Sequence, residues 1–129
     1  MEYNADNVFA KIIRGELPIN KIYEDEYALA FYDIAPKAKV HALVIAKAMV
    51  VDFADFIEHS TADEIEGYMR AIVKTAEILE LTESGYRLVF NSGHNSGQEV
   101  PHLHAHILGG EKLSTSNLKK KINFFSLYS

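Results

Sequence analysis

The sequence contains no cysteine. That excludes disulfide frameworks, thiolate nucleophiles and cysteine-based zinc sites, and it fits a reducing compartment. An excess of basic residues is also missing: 13 Lys plus Arg stand against 18 Asp plus Glu, for a net charge of −5. An acidic chain is a poor partner for a polyanion, which argues against coating of nucleic acid. A small anion held by local donors remains compatible with it. The longest apolar-rich stretch, Val40 to Ala46, falls far short of the ~20 residues of a membrane span. The first residues, Met1-Glu2-Tyr3-Asn4-Ala5-Asp6, lack the basic start and apolar core of a signal peptide. We therefore expect a cytoplasmic protein with no membrane and no nucleic-acid partner.

The 129 residues, 48% apolar and 24% charged, suit one globular domain with a sizeable core. That domain spans residues 1–129, with its core at about 6–113 and a tail, 114–129, whose basic and aromatic stretch from Leu118 to Phe125 suits docking on a partner subunit, a loosely ordered end or membrane contact. Asp6 or Asn7 can cap a short helix carrying Val8, Phe9, Ile12 and Ile13 on one side. Gly15 ends it and Pro18 prevents a restart. Strands are expected at Ile22–Glu24, Tyr27–Asp33 and Val40–Ala46. Asp52–His59 reads as a short helical turn. Thr61-Ala62-Asp63-Glu64 is a capping box. It opens a long helix whose stripe, Ile65, Tyr68, Met69, Ile72, Val73, Ala76 and Leu79, follows helical spacing and reads as core. Strands follow at Tyr86–Phe90 and His102–Leu108, on either side of a loop rich in Gly, Ser and Asn. Strands in meander order around one long helix predict an α+β fold with a mostly antiparallel sheet. The second face of that sheet is left for the short helix or a second subunit.

The chemistry concentrates in Pro101-His102-Leu103-His104-Ala105-His106-Ile107-Leu108. A strand has a side-chain period of two, so the three imidazoles emerge on one face, successive rings about 6–7 Å apart. Leu103, Ala105 and Ile107 point into the core. Three aligned imidazoles admit a polar strand face, a metal site, or covalent catalysis with one ring as nucleophile and the others handling protons. The preceding loop, Asn91-Ser92-Gly93-His94-Asn95-Ser96-Gly97-Gln98, favours the last. Gly93 and Gly97 let the backbone approach an anion, and Asn91 and Gln98 add neutral donors. Asp33, at the end of an apolar strand, can accept sugar hydroxyls or begin a turn before Pro36. His41, early on its strand, is equally readable as a core histidine. His59 and His94 read as exposed and inert.

His102-Leu103-His104-Ala105-His106-Ile107-Leu108 resembles the His-x-His-x-His-x-x signature of the histidine triad superfamily of nucleotide-binding hydrolases and transferases. Val8 to Pro18, Ala30 to Pro36 and Val40 to Ile45 resemble further blocks of that family, so the likeness spans residues 6–113. Leu108-Gly109-Gly110 resembles the Hint branch, the purine nucleoside phosphoramidases. The resemblance implies a five-stranded sheet with one long and one short helix, paired with a second copy into a ten-stranded sheet. It implies His104 as the nucleophile, forming a nucleotidyl-histidine that water hydrolyses to a nucleoside monophosphate. His106 then assists the leaving group, and His102 and His41 orient the rings. Asn91 and the Gly97, Gln98 and Glu99 stretch hold phosphate oxygens. Val8, Phe9, Ile12, Leu17, Phe31 and Ile34 form a slot for a purine, adenine or guanine, and Asp33 binds the ribose. No cofactor or metal is implied. Glu99 stands where some relatives carry Ser or Thr, and its carboxylate disfavours anionic leaving groups relative to amines. Two alternatives stay open at this level: a nucleotide-binding regulatory module with weak turnover, and a divalent-metal-binding protein.

Overall fold

The structure is a computed structural model and describes residues 2–114. The tail stretch Leu118 to Phe125 lies outside the described residues. The elements run α1 (Val8–Ile13), β1 (Lys21–Glu24), β2 (Ala28–Tyr32), β3 (Val40–Ala46), α2 (Phe53–His59), α3 (Ala62–Ile78), β4 (Tyr86–Val89) and β5 (His104–Gly109). The five strands form one sheet in the order β1-β2-β3-β5-β4, with every neighbouring pair antiparallel. The meander therefore holds only for β1 to β3. The helical hairpin α2–α3 carries the chain to the outer strand β4, and β5 returns between β4 and β3. Among the described residues no helix is long and apolar enough to cross a membrane.

Register divides the sheet into two faces. Leu43 lies opposite His106 and Ile45 opposite His104, while Leu29 and Phe31 pair with Ile45 and Leu43. Because side chains alternate along a strand, these residues share one face with both imidazoles. Phe9 and Ile12 of α1 pack on that face with Leu29, Phe31, Leu43, Ile45 and Val100. The opposite face presents Ala28, Ala30, Ala42, Val44, Ala46, Ala105 and Ile107 to α3. Small residues there let the helix lie close to the sheet.

The long helix begins as expected. The Thr61 hydroxyl accepts from the Glu64 amide at 3.1 Å, and the Glu64 carboxylate accepts from the Thr61 amide at 2.9 Å. Its buried stripe is Tyr68, Ala71, Ile72, Thr75 and Ala76. Val73, expected in the core, is 49% exposed, because the faces of Ala71–Ile72 and Thr75–Ala76 centre the stripe one position away from it. The buried Tyr68 hydroxyl donates to the Val44 carbonyl at 2.8 Å, tying helix to sheet.

Gly67 of α3 lies against Tyr27 of the β1–β2 turn. A Cβ at that position falls on the ring of Tyr27. An exposed helical Gly→Ala change ordinarily stabilises by about 1 kcal/mol. Overpacking reverses that sign here, and Gly67→Ala should lose about 1–3 kcal/mol in urea unfolding monitored by circular dichroism. A stabilised variant would contradict this packing.

Candidate active site

The site is built where β5 enters the sheet. His102 precedes β5 rather than lying in it, so the expected strand of three alternating imidazoles is shorter by one. The ring of His102 nonetheless reaches the same cluster. Phe9 stands edge-on to His102 at 6.2 Å and to His104 at 4.8 Å between centroids, and the His104 and His106 rings are 5.2 Å apart. All three rings are 0–2% exposed.

Hydrogen bonds to groups of fixed polarity settle the tautomers. His104 Nδ1 lies 2.7 Å from the His102 carbonyl. A carbonyl only accepts, so Nδ1 carries the proton and Nε2 presents its lone pair. That Nε2 is buried and has no hydrogen-bond partner among the described residues. His102 Nε2 donates to the Ala46 carbonyl at 2.6 Å, leaving Nδ1 to accept from the Tyr3 hydroxyl at 2.6 Å. On the other side, the Lys37 amide donates to His41 Nδ1 at 3.0 Å, so His41 Nε2 holds the proton and donates to His106 Nδ1, also at 3.0 Å. His106 therefore keeps its hydrogen on Nε2. The arrangement juxtaposes a nucleophilic nitrogen on His104 with an N–H donor on His106.

Desolvation by burial is the main cause of the depressed imidazole pKa values. It lowers His102 and His104 to about 4 and His106 well below its usual value, helped by His104 and His41. Neutral imidazoles are the nucleophilic form, so burial keeps the cluster reactive at neutral pH. Asp33 is 8% exposed, and burial raises its carboxyl. One oxygen accepts from the Ala35 amide at 2.8 Å, in the turn the sequence allowed. The other lies 3.4 Å from His41 Nε2.

Asp33, His41 and His106 are close enough to suggest a metal site, their donor atoms lying within 4.8 Å of one another. The protonation pattern does not fit one. His41 Nδ1 is engaged by an amide, so its facing nitrogen bears a proton, whereas a ligating imidazole offers a lone pair. The donor set fits a hydrogen-bond relay.

The loop before the triad takes the tight form its glycines permit. A short 3₁₀ turn, His94–Ser96, is bracketed by Gly93 at φ 81° and Gly97 at φ 87°, both in territory that favours glycine. Gln98, expected as a phosphate donor, spends its side chain on the loop. Its Nε2 donates to the Val51 and Val100 carbonyls and its Oε1 accepts from the Gly93 amide. What the Gly97 to Glu99 stretch offers a ligand is thus chiefly backbone. Glu99 is exposed. Asn91 is buried, and its Nδ2 has no partner among the described residues. Asn91 follows the end of β4 by two residues, and Val89, the last residue of that strand, lies opposite His106.

Of the residues expected around a purine, Phe9, Ile12 and Phe31 are buried in the α1 cluster and Val8 packs against it. Phe9 of that cluster meets the His102 and His104 rings. Leu17 and Ile34 are 38% and 81% exposed and lie outside the cluster. His59 is exposed as expected, though paired with Asp55 at 2.7 Å. Sequence reasoning missed Tyr3, the Lys37 amide and the Ala46 carbonyl. The last two are backbone groups, and Tyr3 reaches His102 across 99 positions, so no local signal marks them.

The HIT domain model matches residues 14–113. The chain belongs to the HIT domain family. A HIT-like protein of Azospirillum brasilense is 48% identical over 86% of this chain and 91% of its own length. The purine nucleoside phosphoramidase of Escherichia coli K12 is 38% identical over 84% of this chain and 90% of its own. A histidine triad protein from Clostridium difficile superposes with a TM-score of 0.78 at 40% identity, covering 88% and 97% of the two chains. The five-stranded antiparallel sheet with its helices is the architecture this HIT chain shares with those structures.

The buried neutral histidines carry a pH signature. Unfolded histidine titrates near 6.5, whereas His102 and His104 titrate at about 4 in the fold. Between those values the unfolded chain binds protons the folded chain refuses, so their contribution is full above pH 6.5 and is lost toward pH 4. Asp33, with its raised carboxyl, acts in the opposite sense. Each imidazole costs of order 2 kcal/mol at pH 5, so the urea midpoint should be lower at pH 5 than at pH 7. An equal or higher midpoint at pH 5 would contradict the burial argument.

Proposed function

We propose that this HIT protein hydrolyses purine nucleoside phosphoramidates through a nucleotide bound covalently to His104. The observation that carries the reading is the bare, buried Nε2 of His104, fixed by its Nδ1–H bond to the His102 carbonyl and flanked by His106. That nitrogen attacks the α-phosphorus, the phosphorus–nitrogen bond to the amine breaks, and the nucleotidyl group passes to the ring. The His102 carbonyl faces the positive charge this places on the His104 ring. His106, its Nε2–H set by the relay from His41, donates to a phosphate oxygen or the bridging nitrogen as the amine departs. Water then gives a proton back to His106 and attacks phosphorus, the bond from phosphorus to His104 Nε2 breaks, and the nucleoside monophosphate leaves with both rings neutral again, so one cradle serves both displacements.

Neutral donors suffice for the phosphate: the buried Asn91 amide and the backbone of Gly97, Gln98 and Glu99. The wall of Phe9, Ile12 and Phe31 backs the purine, with Val8, Leu17 and Ile34 toward its rim, and Asp33 takes the ribose hydroxyls. The exposed Glu99 carboxylate repels anionic leaving groups and favours amines. The likeness to the Escherichia coli phosphoramidase supports the substrate class. We also assign a cytoplasmic homodimer joined along the sheet edge. β4 is an outer strand, and Leu88 on it and Val73 on α3 are 42% and 49% exposed; sedimentation at the mass of a single chain would remove this assignment.

Adenosine 5′-phosphoramidate tests the reaction. Wild-type protein, quenched early and analysed by mass spectrometry, should carry a nucleotidyl group on His104. His104→Ala should lose the label and at least about 10³-fold in turnover while binding AMP within a few-fold of wild type. In the same assay Glu99→Ser should raise acyl-nucleotide turnover relative to phosphoramidate. Full hydrolysis by His104→Ala would overturn the mechanism.

A further inference from the structure

We propose that Tyr3 is a positioning residue for the His104 nucleophile, acting through His102. The His102 ring is held at both nitrogens: the Tyr3 hydroxyl donates to Nδ1 at 2.6 Å, and Nε2 donates to the Ala46 carbonyl at 2.6 Å. The same residue's backbone carbonyl receives the His104 Nδ1–H. Holding the His102 ring therefore adds to the backbone bonds from the His102 and Leu103 amides in setting the carbonyl that orients His104.

Tyr3 does not arrive on a loose strand. The Asn7 amide and side chain both donate to the Asn4 carbonyl, at 3.2 and 2.8 Å. The Asp6 amide donates to Asn4 Oδ1 at 2.8 Å, and the Arg14 guanidinium donates to the Ala5 carbonyl at 2.8 Å. This turn leads directly into α1, whose cap is Asn7. The Tyr3 ring meets the His102 ring edge-on, 5.6 Å between centroids at 61°, and Phe9 meets it from α1.

The contact has an electrostatic consequence as well as a geometric one. Attack on phosphorus leaves a positive charge on the His104 ring, and a charged His102 beside it opposes that charge. Burial holds His102 neutral, at a pKa of about 4, and the Tyr3 ring is part of the cover. The titratable groups facing His102 are Tyr3 from the N-terminal segment and His104 from β5; α1 contributes Phe9 and β3 the Ala46 carbonyl, neither of which titrates. Opening the cover lets water reach His102 and raises its pKa toward the ordinary histidine value.

This inference rests on the phosphoramidase reading for the step it assists, and two readouts keep them separable. Histidine side-chain ¹⁵N NMR from pH 7.5 to 3.5 is recorded for wild type, Tyr3→Phe and Tyr3→Ala. In parallel, single-turnover nucleotidylation is measured with adenosine 5′-phosphoramidate, and AMP binding by calorimetry. In Tyr3→Ala the His102 midpoint should rise by about 1–2 pH units, and the acid limb of the rate profile should rise with it. Tyr3→Phe keeps the ring and should nucleotidylate about tenfold more slowly, the worth of one buried hydrogen bond, with AMP affinity within twofold. A His102 titration unchanged in Tyr3→Ala overturns the proposal, and so does wild-type nucleotidylation by Tyr3→Phe. A lowered melting temperature and weakened AMP binding without a His102 shift would reduce Tyr3 to a structural contact and overturn it too. If Tyr3→Ala fails to fold, Tyr3→Phe decides alone. If wild type forms no adduct, the phosphoramidase reading falls while the NMR titration still decides the role of Tyr3.

Discussion

One hydrogen bond organises this site: the 2.7 Å contact from His104 Nδ1 to the His102 carbonyl. A neutral imidazole has two tautomers, and only one leaves Nε2 able to attack. The carbonyl cannot donate, so it selects that tautomer without a charged residue. It also comes from the same chain segment as His104, two positions away, which makes the selection a property of the backbone path into β5. The other contacts of the cluster extend this logic. Ala46 and Tyr3 hold the His102 ring, while Lys37 and His41 set the opposite polarity on His106.

The acidic balance of the chain fits a cluster in which, among the described residues, the triad rings hydrogen-bond to neutral groups. In the proposed reaction, an arginine or lysine beside His104 would hold phosphate strongly and also oppose the positive charge that the ring acquires on forming a bond to phosphorus. Neutral donors and backbone amides avoid that conflict. Burial supplies the rest, because rings shielded by Phe9 and the α1 cluster stay unprotonated at neutral pH. The cost is borne by the fold, which must shelter several imidazoles and the Asp33 carboxyl in one small region.

Much of this was legible in the sequence. The period-two alternation of His104, Ala105 and His106 set which residues face the site, and the register with Leu43 and Ile45 agrees with it. The capping box at Thr61 located the start of α3, and the helical stripe located its buried face to within one position, Val73 being the exception. Sheet order was not legible, because periodicity says which face a strand buries and nothing about its neighbours; the insertion of β5 between β3 and β4 is a tertiary decision. His102 marks a similar limit. Its spacing matches the strand, but the chain reaches strand geometry only at His104. The Gln98 side chain, chemically suited to phosphate, turned inward to satisfy carbonyls of its own loop and of Val51. Tyr3 carries no motif at all, and its place follows only from the folded path of the N-terminal segment.

The chemistry of the site therefore rests on the protonation of one ring, which is directly observable. Long-range ¹H–¹⁵N correlation of the histidine side chains at pH 7, with His104 assigned by comparison with His104→Ala, reports which nitrogen carries hydrogen. The structure requires His104 to be neutral, protonated at Nδ1 and bare at Nε2. A His104 ring protonated at Nε2, or charged on both nitrogens at that pH, would contradict it.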